Sequence, residues 1–380
     1  MAMNSYDCVV IGTGGVGSAA LYYLAERGTR VLGLDRFPPG HDRGSSHGDT
    51  RIIRLAYFEH PDYVPLLRRA YTLWADLENA CGQQLYREVG LVEIGPPDGE
   101  VVPGVLRSAQ EHSLQVQSLS PGEFARRFPG FQLPETMRAV FEQKAGYLAV
   151  ETCVRSDTSA AQKRGATLHS DETVLTWKPE GNGVVVATDK GHYTAARLII
   201  TPGAWAPRFL ADVGLRFEIR RKSLFWYDAP SVYHADQRCP AFLYETPTGA
   251  FYGFPQSDEW GLKVAEHSGG QVIDEPLNVD RSINPHDRRQ VEDFLAQYLP
   301  GVSRTLRKHV VCMYTMSADS HFVVDRHPQY PQVAFVAGLS GHGFKFASVL
   351  GEILADLARD GRTTLPIEFL RCSRPTLKLN

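Results

Sequence analysis

No run in this chain approaches the roughly 18 consecutive apolar residues that a membrane span requires. None of its six cysteines, at 8, 81, 153, 239, 312 and 372, forms a C-x-x-C pair. That spacing excludes zinc ribbons and dense disulfide frameworks, and a reducing compartment is expected. Charge of one sign is also missing, because 40 basic and 43 acidic residues give a formal −3. Such a balance leaves no electrostatic footprint for nucleic acid and no polybasic membrane patch. The first residues lack the basic start, apolar stretch and cleavage site of a secretory signal, and the final Lys378-Leu379-Asn380 does not match the peroxisomal tripeptide. A cytoplasmic enzyme is therefore expected. No internal repeat and no low-complexity tract occurs. What remains is an ordinary packed chain, 43% hydrophobic over 380 residues, whose length suggests two domains.

The first strong signal lies near the start. Asp7-Cys8-Val9-Val10-Ile11 is a short apolar run, as in a buried parallel strand, and it ends on Gly12-Thr13-Gly14-Gly15-Val16-Gly17. The segment 18–27 then shows apolar residues at helical spacing, with Gly28 placed to end the helix. Val31-Leu32-Gly33-Leu34 predicts a second strand, closing on Asp35, 23 residues after Gly12. Strand, glycine turn, helix and acid-ended strand form the context that a G-x-G-x-x-G dinucleotide fingerprint needs. Gly12 would make the tight turn, Gly14 would let a pyrophosphate approach the backbone, and Gly17 would let the helix pack close. The helix N-terminus offers unpaired N–H groups to phosphates, and Asp35 would accept hydrogen bonds from ribose hydroxyls. FAD and NAD share this fingerprint. Its position at the start, with a second glycine turn near the C-terminus, favours FAD crossing a discontinuous domain.

Further along, 60–77 reads as a helix whose regular start Pro65 could delay. Residues 85–145 are rich in proline and turns. An apolar strand is predicted over 197–200, and period-two patterning over 217–268 predicts antiparallel sheet, with a hairpin at Thr246-Pro247-Thr248-Gly249. Asn284-Pro285 starts a helix that runs to 299. A strand at 333–337, the turn Gly338-Leu339-Ser340-Gly341-His342-Gly343 and a strongly periodic helix ended by Gly361 complete the chain.

At Gly44-Ser45-Ser46-His47-Gly48-Asp49-Thr50-Arg51-Ile52-Ile53-Arg54 the sequence resembles the monomeric sarcosine oxidase and N-methyltryptophan oxidase family of flavin-dependent amine oxidases. The resemblance continues through Phe251-Tyr252-Gly253-Phe254-Pro255, Gly261-Leu262-Lys263 with His267, Cys312-Met313-Tyr314-Thr315, and Gly338 to Phe346, and so spans nearly the whole chain. A lone cysteine between apolar neighbours is by itself an inert buried side chain. The resemblance implies instead that Cys312 carries the thioether to the flavin 8α-methyl. A lysine at the start of a helix opposes the macrodipole, so an anionic ligand is the simplest reason for Lys345. By resemblance, Arg54 and Lys345 hold the substrate carboxylate.

Taken alone, Lys263 reads as a solvated strand lysine and His267 as a satisfied polar side chain. The resemblance implies that Lys263 activates dioxygen and that Thr50 helps hold a water beside it. It also implies that His267, Tyr252 and Tyr314 line the substrate pocket. His47 and Arg51 match basic residues beside the flavin ring, although the family's usual pair of histidines is here Ser46-His47. Phe58 is bulkier than the small residue usual at this edge of the pocket. The full cofactor set expected is Gly12, Gly14, Val16, Gly17, Asp35, Arg36, Ser45, His47, Arg51, Val174, Gly203, Cys312, Gly341, Gly343 and Lys345. No metal site is expected.

The expected architecture is an α/β, discontinuous Rossmann-like FAD-binding domain (1–84, 146–216 and 322–380) joined to an α+β substrate domain (85–145 and 217–321) with a mixed, largely antiparallel sheet. The expected enzyme is an FAD-dependent monomer that oxidises a small amino-acid substrate with O2. N-methyl amino acids would give demethylated amino acid, formaldehyde and hydrogen peroxide. Cyclic imino acids such as proline or pipecolate, sugar-amine adducts, and a dehydrogenase with another electron acceptor stand as alternatives.

Overall fold

The computed structural model describes residues 4–377; the outermost ends of the expected segments and the C-terminal tripeptide lie outside them. Among the described residues the first sheet has eight strands. Its centre is Asn4–Ile11, flanked in parallel by His192–Ile200 and Val31–Leu34, with Val333–Ala337 adding in parallel beside the end of His192–Ile200. Successive residues of the central strand feed two different cores, since Cys8 and Val10 pack towards the helices and Val9 and Ile11 towards the opposite face. That double burial explains the unbroken apolar run. Register fixes the ends: Ile11 lies beside Leu34 and Ile200. Gly12, Asp35, Thr201 and Gly338 therefore emerge together at the carboxyl ends of adjacent parallel strands, where open α/β sheets bind ligands.

Helix Gly15–Glu26 packs against Ala347–Asp360 so closely that a Cβ at Gly351 would meet Ala19 Cβ at 2.5 Å. The C-terminal helix ends on Gly361 at φ 70°, as its sequence predicts. Helix Pro285–Tyr298 starts on Asn284, whose side chain accepts from the His286 N–H. The second sheet has nine strands among the described residues and is mainly antiparallel. The long strand Glu218–Tyr227 lies between Leu306–Met316 and Leu262–Glu266, and the hairpin Ala241–Thr246/Gly249–Phe254 extends it to Leu91–Gly95. A third, small sheet joins Thr50–Ile53, Gly146–Ala149 and Tyr86–Glu88.

Two local readings change. Regular helix over Val64–Cys81 follows a 3-10 turn at Pro61–Tyr63, so Pro65 sits harmlessly inside the first helical turn. The turn-rich reading of 85–145 misses the helix Val101–His112 and the buried strand Leu91–Gly95. Pro103 and Gly104 look like breakers. Pro103 falls in the first turn, where its missing N–H has no intrahelical partner to lose. Gly104 is needed because a Cβ there would meet Phe58 O at 2.5 Å.

Candidate active site

The larger of two connected recesses opens at the carboxyl ends of the parallel strands. It measures about 1390 Å³ counted to its open mouth and is lined by Gly12, Gly14, Val16, Asp35, Arg36, Ser45, Arg51, Val174, Gly203, Gly341 and Gly343. Gly12 adopts φ 83° with Thr201 O 2.5 Å from any added Cβ, and a Cβ at Gly17 would strike Gly12 O, so both serve the backbone crossing. Gly14 differs. Its missing Cβ faces open space apart from Ser46 Oγ at 3.6 Å. The N-cap residue of the helix that begins at Gly15 is Gly14, which has no side chain to cap it; Ser46 Oγ accepts from the Gly15 N–H at 3.0 Å, and no acidic residue lies in the first turn. Asp35 Oδ2 accepts from Thr13 N at 2.6 Å, and Oδ1 accepts from Phe37 N at 3.0 Å, which fixes the carboxylate at the rim.

The second recess, about 450 Å³, is walled by Arg54, Phe58, Tyr252, His267 and Lys345, and Arg51, Tyr314, Gly341 and Phe344 line both. Lys345 stands in the 3-10 turn Phe344–Phe346 and donates to His342 O at 2.7 Å; burial, then Arg54, lowers it to about 7. Arg54 is buried, donates to Glu59 at 2.6 Å and lies 3.3 Å from Glu93. Phe58 and Tyr57 rings cover its guanidinium at 4.6 and 4.7 Å. Burial would raise Glu59, but Arg54, His342 and Lys345 overcome it and hold the carboxyl at about 2. His267 Nδ1 lies 3.4 Å from Tyr314 OH, and burial together with Lys222 lowers it to about 3, so it is neutral at working pH.

Besides Gly17, four expected residues line neither recess: His47, Thr50, Lys263 and Cys312. Cys312 is buried on Leu306–Met316, where its sulfur accepts from Arg51 at 3.2 Å. Lys263 is buried on Leu262–Glu266 and donates to Gly48 O, Thr50 O and Thr50 Oγ1 at 2.5, 2.9 and 3.1 Å. Trp226 and Phe254 rings lie 5.2 and 4.9 Å from its ammonium, and burial and then Arg51 push its pKa well below the usual lysine range. The solvated-lysine reading is thus replaced by a buried amino group held by three oxygens of Gly48 and Thr50. His47, also buried, is lowered to about 3 by burial and Arg51, so the fixed positive charge at this point is Arg51's.

The description "DAO: FAD dependent oxidoreductase" fits residues 7–357 of the chain. It belongs to the FAD dependent oxidoreductase family. A "Monomeric sarcosine oxidase" of Streptomyces avermitilis is 42% identical over 96% of each chain, and an "N-methyl-L-tryptophan oxidase" of Yersinia pestis is 37% identical over 97% of this chain and 99% of its own. Among solved structures, that of NikD, "an unusual amino acid oxidase essential for nikkomycin biosynthesis", is similar at 26% identity and TM-score 0.85 over 97% of both chains.

As an FAD dependent oxidoreductase the chain needs a groove for a dinucleotide, and the larger recess fits one. It offers a helix N-terminus with no acidic residue in its first turn for the pyrophosphate, a glycine whose Cβ would fill the approach, and a rim carboxylate for the ribose. Arg51 adds positive charge where the two recesses meet. Among the described residues no helix is long and apolar enough to cross a membrane, and no cluster suited to a metal ion occurs. The sequence reading missed Glu93. Its one signal is a carboxylate inside the apolar run Leu91-Val92-Glu93-Ile94.

Proposed function

We propose that this FAD dependent oxidoreductase is an oxidase of secondary amines that carry a carboxylate, N-methyl amino acids of the sarcosine type foremost, and that it yields demethylated amino acid, formaldehyde and hydrogen peroxide. The observation that carries this reading is the compact recess with Arg54 and Lys345 on its wall, joined to the cofactor groove through Arg51, Tyr314, Gly341 and Phe344. The names of the full-length relatives at 37–42% identity support it. Bound FAD supplies the two-electron oxidation of the C–N bond and the return of those electrons to dioxygen.

Arg54 and Lys345 hold the substrate carboxylate and fix the amine towards the groove, which removes translational freedom before reaction. Glu59, the ionised carboxylate on this wall, is paired with Arg54 at 2.6 Å, while Arg51, neutral His267 and the phenols of Tyr252 and Tyr314 present no negative charge to the amine. An ammonium is disfavoured there, so the substrate binds as the free base and no separate general base is required. Lys263, fixed by Gly48 and Thr50, supplies a preorganised positive charge for dioxygen activation. The aromatic wall and small volume also suit a cyclic imino acid, which is the second reading. Peroxide with equal formaldehyde from sarcosine or N-methyltryptophan supports the first; peroxide without formaldehyde, from proline or pipecolate alone, supports the second.

The FAD-binding unit is assigned to 1–84, 146–216 and 322–380, and the substrate unit to 85–145 and 217–321. The enzyme is taken to be a cytoplasmic monomer. Gly12, Gly14, Val16, Asp35, Arg36, Ser45, Val174, Gly203, Gly341 and Gly343 hold FAD non-covalently, and Cys312 ties it through a thioether. Acid precipitation of the wild type is expected to give a pellet that stays yellow, and Cys312→Ser a colourless pellet with yellow supernatant. A colourless wild-type pellet contradicts the thioether.

A further inference from the structure

Glu93 has no part in the reading above, yet it is 1% exposed and sits against the carboxylate-binding guanidinium. It lies at the middle of the strand Leu91–Gly95, between Val140 on one neighbouring strand and Leu243 on the other. Arg54 Nε approaches Glu93 Oε1 at 3.3 Å, but the pair is too poorly aligned for a hydrogen bond, and both atoms are buried without another partner. Arg54 is already satisfied elsewhere by Glu59 at 2.6 Å. We propose that Glu93 is a specificity-determining residue of this recess: a substrate carboxylate is bound at Arg54 with Glu93 protonated, so above neutral pH each binding event takes up a proton there.

The argument rests on charge in a space with little water. The groups that face Glu93 are Arg54, Glu142, Glu59 and Lys345. Glu142, on Arg138–Glu142, is held by the Leu55 and Ala56 amides at 2.8 and 2.9 Å, and cannot turn towards Arg54. Glu59 stays ionised, since its neighbouring cations hold it at about 2. Apart from Glu142, which is met by its two amides, an ionised Glu93 together with a substrate carboxylate would set three anionic groups around two cations, Arg54 and Lys345. With Glu93 neutral, two anions meet two cations. Burial, the largest influence, and the nearby carboxylates Glu142 and Glu59 outweigh Arg54 and Lys345 and raise Glu93 to about 8, so the proton is exchangeable in a measurable range. Lys345, at about 7, takes up a proton of its own when an anion arrives, and the two contributions must be separated.

This inference rests on the reading that Arg54 holds the substrate carboxylate. The probe is (methylthio)acetate, in which a thioether replaces the oxidisable amine, titrated calorimetrically into holoenzyme at pH 7 and pH 9 in buffers of different ionisation heat. At pH 9 the wild type is expected to take up about one proton more than Glu93→Gln, whose side chain mimics the neutral acid. Between pH 7 and pH 9 the wild-type Kd is expected to weaken about tenfold more than that of Glu93→Gln, as follows from an acid that titrates near 8. Equal proton counts in the two proteins overturn the proposal, and so does a wild type that takes up no proton at pH 9, a result that needs no variant. Arg54→Gln keeps the two failures apart. Unchanged (methylthio)acetate binding in that variant sinks the assignment of Arg54 itself, whereas lost binding there, with equal proton counts for wild type and Glu93→Gln, overturns the role of Glu93 alone.

Discussion

Replacing Arg54 with Gln is expected to lower kcat/KM for an N-methyl amino acid by roughly 10² or more, and to destabilise the folded protein by about 3 kcal/mol. Both effects come from one geometry. The guanidinium is buried, covered by the Tyr57 and Phe58 rings, and faces Glu59 and Glu93. Its removal deletes the charge-assisted contact to the substrate carboxylate and leaves Glu59 facing the recess without its closest cation. That residual negative charge repels the substrate, so the loss exceeds what one missing hydrogen bond costs. Steady-state kinetics and a thermal melt on the same preparation check the pair. A variant within threefold of the wild type in kcat/KM, at unchanged Tm, contradicts the assignment.

Lys263→Met carries the second large effect. Oxygen-dependent turnover is expected to slow by about 10²–10³, the typical loss of a preorganised charge, while substrate oxidation measured anaerobically changes far less. Methionine matches the volume and packs well between Trp226 and Phe254. It leaves Gly48 O and Thr50 O without their donor, so some stability is lost as well. The split between the two half-reactions is the decisive quantity. Equal losses in both would show Lys263 to be a strut for the loop around Asp49, which adopts φ 69°, and nothing more.

The cofactor side of this molecule was readable because its physics is local. A glycine turn between an apolar strand and a helix, with an acid at the end of the next strand, is complete within residues 7–35, and the fold places those groups on one groove. The substrate side was readable only through resemblance, because its walls come from segments far apart: Arg54, Phe58, Tyr252, His267 and Lys345 meet through sheet pairing that no local pattern encodes. Lys263 and His267 show the same limit. Period-two patterning puts them on a strand but cannot tell which face is buried when the opposing layer is built from the loop at 48–50. Glu93 escaped notice for the opposite reason. In an apolar strand a single carboxylate looks like an edge residue, and only the parallel pairing with Ala241–Thr246 and the antiparallel pairing with Arg138–Glu142 bury it beside Arg54. Helix Val101–His112 was hidden by Pro103 and Gly104, tolerated in the first turn and required by the close passage of Phe58.

Oxygen uptake by holoenzyme in the presence of sarcosine, with peroxide and formaldehyde quantified in the same vessel and dimethylamine as the control lacking a carboxylate, tests the central claim most directly. The account predicts one peroxide and one formaldehyde for each oxygen consumed with sarcosine, and kcat/KM for dimethylamine lower by about 10² or more, since it cannot engage Arg54 and Lys345. Equal rates with both amines, or substrate oxidation that consumes no oxygen, would contradict it.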